Sequence, residues 1–338
     1  MVDGKSRAAL VQFTQIMERT QSSMDACGLG GADCEKRGAL AHATLPESAP
    51  SRHNAAMRVL LATCRELPEP DPDDRLLMAA LERRGISARY AAWDDPQERW
   101  AADLIVLRST WNYYLDPAGF LDWAERVGRA ARLLNPLDVI FWNHDKRYLL
   151  ELERSGVPIV PTRRIQRGER VSLDALVHAA DWRDVVIKPA ISAASYRTRR
   201  FGPKAIEEGN AHLTQLLETG DVLVQEYMPA VDHHGERSLV WIDGEFTHAV
   251  RKSPRLSGGA EEVSEAVPIE PSELEIGQSA VAGFETGKLL YARVDVVPDR
   301  TGRLRVMELE LIEPSLFFLQ FPGALERFAD AISSRLTE

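Results

Sequence analysis

The run Val59-Leu60-Leu61-Ala62 restricts what this chain can fold into, because consecutive apolar residues suit a strand buried on both faces of a parallel sheet. The pattern that follows agrees. Residues 74–84 carry Leu76, Leu77, Ala80 and Leu81 on one helical face and stop at Gly85. Residues 86–91 and 104–107 read as strands and 120–134 as an amphipathic helix, so a small parallel-sheet α/β lobe is expected over 57–143. A helix over 146–155 leads out of it. Beyond Gly156 the character becomes α+β, with strands expected at 158–162, 185–188, 222–227, 239–242 and 246–250 and helices at 173–180 and 205–218. After a helix over 272–284, the segments 290–297 and 303–312 are joined by Asp299-Arg300-Thr301-Gly302, a hairpin signal. No internal repeat is visible.

Residues 1–56 read differently. A single amphipathic helix is expected over 6–18, followed by linker marked by Gly28, Gly30, Gly31, Pro46 and Pro50, so this segment is expected to be a dispensable, flexible N-terminal extension. The sequence then divides into the lobe 57–143, a small subdomain 144–221 and a C-terminal subdomain 222–338, in keeping with a length of 338 residues. With 51 acidic residues against 41 Lys plus Arg, general attraction to nucleic acid or anionic lipid is not expected. Cys27, Cys34 and Cys64 are too few and badly spaced for a disulfide framework or a zinc site, and no run is long and apolar enough for a membrane span. A cytoplasmic protein is expected.

Common nucleotide motifs fail. Gly283 to Leu289 is one residue too short for a P-loop, and Gly28-Leu29-Gly30 has Asp33 where a dinucleotide fold needs its third glycine. The strongest chemical feature is the last hairpin. Glu308 and Glu310, two apart, share one strand face, with Met307, Leu309 and Leu311 on the other. A turn centred on Arg300 and Thr301 places Asp295 opposite Val306 and diagonal to Glu308, and three such carboxylates suit Mg²⁺ bridged by phosphates. A solvated polar hairpin face has the same pattern. Lys188 ends an apolar strand before the small-residue loop 190–195, an arrangement that fits phosphate binding as well as an ordinary strand end. The basic run 196–200 is either a flap over phosphates or a solvated edge. Val222 to Pro229 reads as a buried strand entering a stiff turn, while His233 and His234 are expected to be exposed turn residues. Arg108-Ser109-Thr110-Trp111-Asn112-Tyr113 follows a strand at the edge where open α/β sheets bind ligands. There Arg108 would grip a carboxylate and Trp111 and Tyr113 wall a pocket, or the arginine would pair with an Asp and the rings pack internally.

In this order the features resemble the ATP-grasp superfamily from Met57 to about Leu336, closest to its glutathione-synthetase-like branch through Tyr227-Met228-Pro229-Ala230 and Asp243-Gly244-Glu245. Within it, the segments 93–96 and 108–113 resemble the cyclo-ligases of cycloserine biosynthesis. The resemblance implies ATP held between two α+β subdomains behind a smaller α/β lobe. It implies Lys146, Lys188, Ser192 and Ser195 on the phosphates, Gln225, Glu226, Tyr227 and Met228 as the adenine hinge, and Glu236 on the ribose. Arg237 and Arg251 would steady the transferred phosphoryl group, and Asp295, Glu308 and Glu310 would hold Mg²⁺, two ions, with Mn²⁺ as a substitute. Substrate contacts fall to Arg108, Ser109, Thr110, Trp111 and Tyr113. Two departures are Glu310 where the usual ligand is Asn, and Ala193-Ala194 where glycine is common. The activity implied is ATP-dependent joining of a small carboxylate to an amine through an acyl phosphate. A kinase acting on a hydroxyl, a nucleotide-binding protein without turnover and modification of a protein tail are the alternatives, and a homodimer is compatible with each.

Overall fold

In a computed structural model, the strand expected at 59–62 is β1 (Arg58–Thr63), buried as its apolar run requires. The structure describes residues 57–67, 71–253, 262–285 and 287–338; the expected N-terminal extension, with its helix and linker, lies outside the described residues. β1 pairs in parallel with β2 (Ser87–Ala92) and β3 (Leu104–Ser109), and β3 with β4 (Arg132–Leu134), in the order β2-β1-β3-β4. Helix α1 (Pro72–Glu82) is capped by Asp71, whose side chain accepts from the Asp73 amide. The helix expected over 120–134 is shorter, α2 (Pro117–Gly128), because its tail supplies β4, whose Leu133 and Leu134 pack in the sheet instead.

The expected helix over 146–155 is preceded by another, unforeseen, so the chain passes through α3 (Leu137–Asn143) and α4 (Tyr148–Arg154). The strand expected at 158–162 is displaced to β5 (Thr162–Ile165): Pro158 and Pro161 lack the N–H a ladder needs, and Ile159 makes only an isolated bridge to Val306. After α5 (Leu173–Ala180) come β6 (Val185–Pro189), the edge strand β7 (Arg199–Phe201), α6 (Ile206–Leu217) and β8 (Val222–Glu226). They form an antiparallel sheet in the order β5-β8-β6-β7, so β8 belongs with the elements that precede it.

β9 (Glu236–Ile242) and β10 (Glu245–Lys252) form a hairpin, followed by α7 (Pro271–Val281) and the hairpin β11 (Tyr291–Pro298) and β12 (Leu304–Glu310). Their sheet runs β10-β9-β11-β12. The final helix α8 (Pro322–Thr337) packs Phe328, Ala329 and Ile332 into one core with β1, α1 and Tyr291, tying the first lobe to the last sheet. Among the described residues, no helix is long and apolar enough to cross a membrane.

The register of the last hairpin differs from expectation. A bulge between Asp295 and Val296 sets Asp295 directly opposite Glu308, and Val296 opposite Val306. Val306 thereby joins Leu309 and Leu311 in the core, while Met307 leaves that face and packs beside Met228 and Val231.

Candidate active site

One face of the β10-β9-β11-β12 sheet changes character along its length. At one end it presents Val240, Ile242, Val250 and Tyr291 to the core under α8. At the other, the same alternation presents Glu236, Lys252, Arg293, Asp295, Glu308 and Glu310, which line a cavity of about 220 Å³ facing the β5-β8-β6-β7 sheet. A face with charges and no apolar cover has to be paired, and it is. Lys252 Nζ lies 2.6 Å from Glu236 Oε1 and 3.2 Å from Asp295 Oδ2. Arg293 makes a two-pronged contact with Asp295 at 2.9 Å and an ion pair with Glu310, its partner across the ladder.

Across the cavity, Lys188 at the end of β6 places Nζ 2.6 Å from Glu308 Oε1, and Lys146 approaches Oε2 to 3.8 Å. Burial pushes the Glu308 carboxyl up, but Lys146 and Lys188 together hold it well below the usual carboxylate range. Burial likewise opposes ionisation of Asp295, and Arg293 and Lys252 overcome it. Glu310 and Glu236 go the other way: burial outweighs Arg293 and Lys252 respectively and raises both.

Lys146 fixes the 190–195 loop twice, through its amide on the Ala190 carbonyl at 2.8 Å and Nζ on the Ser192 carbonyl at 2.7 Å. Ser192 is buried, and Ala194, Ser195 and Arg197 adopt left-handed φ of 47°, 57° and 52°. The loop thus takes the turn that glycine would make freely, at a cost of roughly 1–2 kcal/mol per residue. Tyr196 on this loop stacks on Tyr114 of the first lobe, ring centroids 4.3 Å apart.

Beyond β8, the Glu226 amide donates to the Pro161 carbonyl and the Tyr227 amide to the Asp184 carbonyl, both at 2.9 Å. Arg200 lies over the Tyr227 ring, 3.6 Å from its centroid, and pairs with Asp184, which holds the end of β8 from outside the cavity. Gln225, Glu226, Tyr227 and Met228 line the cavity beside the apolar side chains of Val160, Val186, Met307 and Leu309, which form a slot.

Of the residues singled out in the sequence, Lys146, Lys188, Ser192, Ser195, Gln225, Glu226, Tyr227, Met228, Glu236, Asp295, Glu308, Glu310, Trp111 and Tyr113 line this cavity. Arg237 and Arg251 do not. They sit opposite one another across the β9–β10 ladder on the other face, one position out of phase with Glu236 and Lys252. Arg237 is bound to Glu273 at 2.7 Å, and Arg251 is exposed. Arg108, Ser109 and Thr110 are fully buried away from the cavity; Arg108 lies 3.7 Å from Asp71, and the Ser109 hydroxyl meets those of Thr63 and the Asp74 carboxylate. The alternative reading of Arg108, an arginine paired to a nearby Asp, describes its contacts.

Arg293, Lys252 and Glu313 line the cavity as well and are not among the residues singled out in the sequence. The Arg293-x-Asp295 spacing, two residues apart on one strand, was the available signal for the first. Glu313 follows the hairpin and lines the cavity, and burial, with Glu310 beside it, pushes its carboxyl up to about 8.

The fit of a divalent cation is partial. Glu308 and Glu310 are cavity-lining carboxylates, the oxygen donors that hard cations take, but each is paired in this structure, Glu308 with Lys188 and Lys146 and Glu310 with Arg293, and both Asp295 oxygens are engaged by Arg293 and Lys252. Among the described residues no three His, Cys, Asp or Glu converge as a metal cluster, so the expected trio does not by itself form a cage.

The family model described as D-cycloserine synthetase DcsG, N-terminal domain, matches residues 59–135. Over 286 residues the chain is 32% identical to the cycloserine biosynthesis protein DcsG of Streptomyces lavendulae, covering 79% of this chain and 94% of that protein. A crystal structure of D-cycloserine synthetase DcsG aligns with TM-score 0.76 and 30% identity over 82% of this chain and 99% of its own. The ATP-grasp ligase PsnB, in a complex with a phosphomimetic variant of its minimal precursor, Mg and ADP, aligns with TM-score 0.55 and 19% identity over 84% and 100%, a likeness of fold. The chain belongs to the DcsG family of ATP-grasp ligases.

Proposed function

We propose that this protein closes a carbon–nitrogen bond at the expense of ATP, activating the carboxylate of a small amino-acid derivative as an acyl phosphate. The carrying observation is that Lys146, Lys188 and Arg293 converge with Glu308 and Glu310 in one cleft beside an apolar slot. The DcsG relationship supports a serine-derived acid whose own nitrogen is the nucleophile, so that ligation is a ring closure.

In this reading the slot at Gln225 to Met228 takes adenine, with Glu236 accepting from the ribose hydroxyls. Lys146 and Lys188 hold the phosphates as point charges, and backbone N–H groups of the 190–195 loop cover them. Mg²⁺, as two ions with Mn²⁺ as a substitute, would be held by Glu308 and Glu310 and neutralise phosphate charge. Substrate carboxylate oxygen attacks the γ-phosphorus of ATP, the bond from that phosphorus to the β–γ bridging oxygen breaks, and ADP leaves. Arg293, in place of Arg237 and Arg251, sits where the transferred charge develops, and its two carboxylate partners fix its plane without reorganisation. The substrate nitrogen then attacks the acyl carbon and expels phosphate, and no protein nucleophile is needed. Trp111, Tyr113, Glu313, Ser315 and Phe317 wall the acceptor end. We place the lobe division after Glu226, because β8 is a strand of the small subdomain's sheet.

ADP release tested across amino acids and their N-hydroxy, ureido and peptide derivatives should be specific to one acid. Nucleotide binding with no acid-dependent ADP release would instead favour a non-catalytic binding protein, and a stable phosphorylated product a kinase.

A further inference from the structure

The segment Glu313 to Phe318 stands between two structures. Glu313, Ser315 and Phe317 line the cavity, whereas Pro314, Leu316 and Phe318 meet the first lobe. The Asp73 carboxylate, 1% exposed in the first turn of α1, receives the Leu316 amide at 2.9 Å on one oxygen and the Phe318 amide at 2.7 Å on the other. Arg108 donates to the Pro314 carbonyl at 3.3 Å, and the Trp111 indole to the Glu313 carbonyl at 2.9 Å.

Asp73 therefore brackets Phe317. That residue has a left-handed φ of 53°, a conformation that costs a bulky side chain energy and persists only where its neighbours impose it. Its ring lies under the Arg293 guanidinium, 5.6 Å from Cζ to centroid, and Arg293 also donates to the Ser315 carbonyl at 3.3 Å. A continuous chain of contacts joins a carboxylate of the first lobe to the arginine at the centre of the cleft.

We propose that Asp73, with Arg108 as its buried counter-charge, is a positioning residue that sets the acceptor wall and the plane of Arg293 through Phe317. Three carboxylates, the buried Asp71 and Asp73 and the partly buried Asp74, surround that one guanidinium, more negative charge than a purely structural ion pair needs. The bracket accounts for it: two backbone N–H donors satisfy Asp73 independently of Arg108. The inference rests on the proposed ligase reading for its kinetic readout.

Two variants test it. Asp73→Asn replaces one of the two accepting oxygens by NH₂, so the N–H now bound to that oxygen faces a donor instead. Phe317→Leu keeps both donors and removes only the ring. Each should lower kcat/KM for the acid by about tenfold or more while ATP affinity, measured by calorimetry with MgATP alone, stays within about twofold. The double variant should lose less than the product of the two single losses, because both act on one element. A lower melting temperature with kcat and acid KM unchanged in both variants overturns the proposal, as does multiplicative loss in the double variant. Where Asp73→Asn does not fold, Phe317→Leu decides alone by the kcat/KM loss at unchanged ATP affinity. Absence of acid-dependent ADP release in the wild type counts against the ligase reading instead, and is seen before any variant is compared.

Discussion

Lys188 Nζ lies 2.6 Å from Glu308 Oε1, joining the end of a strand in one sheet to the face of another across the cleft. The contact makes Glu308 a shared counter-charge, since Lys146 Nζ is 3.8 Å from its second oxygen. Whatever enters the cleft between Lys146 and Lys188 meets a carboxylate that these two cations hold ionised.

Glu308→Gln keeps the shape and removes that charge. Turnover is expected to fall on the order of a hundredfold, by comparison with the loss of other preorganised electrostatic contacts, with the fold retained. Steady-state ADP release and circular dichroism check both halves.

Arg293→Lys retains a cation but loses the planar fork that spans Asp295 and Glu310. The expected result is a fall in kcat of about a hundredfold with little change in ATP affinity. Equal losses in ATP binding and turnover would move Arg293 from the transferred phosphoryl group to ground-state nucleotide binding.

Arg237→Ala should behave in the opposite way. It leaves Glu273 buried without its partner, a change worth about 3–5 kcal/mol in comparable buried pairs, so the melting temperature should drop while kcat per folded molecule holds. Denaturant titration beside active-site titration separates the two.

These opposite outcomes for two arginines follow from what the sequence carries and what it does not. Hydrophobic runs at 59–62, 104–107 and 185–187 disclosed the strands, and the hairpin signal at 299–302 disclosed the last two, because both are local properties. Lys188, Glu308 and Glu310 were legible for the same reason: each sits at a strand position whose face is fixed by its neighbours. Arg237, expected beside Glu236, lies on the other face of the sheet, because neighbouring strand residues face opposite ways. The bulge that sets Asp295 opposite Glu308 depends on pairing between strands, which no single-strand pattern contains. Arg108 looked like a binding residue because a cation at a sheet edge is exposed unless something covers it, and its cover, α8 and the 313–318 segment, comes some two hundred residues later.

Glu313 carries a pH dependence. Its folded-state carboxyl is raised from 4.5 to about 8, first by burial and then by Glu310. Between those values the folded state holds a proton that the unfolded chain has released, so its contribution to stability is full below about pH 4.5 and is lost as pH rises through about 8. Glu313→Gln imitates the protonated form. The stability difference between variant and wild type should therefore be flat in acid and shift in favour of the variant toward pH 8, read from urea midpoints at each pH.

The most direct test of the central claim follows oxygen rather than rate. With the acid substrate labelled with ¹⁸O in its carboxylate, attack of carboxylate oxygen on the γ-phosphorus and expulsion of phosphate by nitrogen transfers one labelled oxygen to inorganic phosphate. Mass spectrometry of the released phosphate should show that single label, appearing in step with ADP and absent without the acid. Unlabelled phosphate, or a stable phosphorylated product with no phosphate released, would contradict acyl-phosphate ligation in this cleft.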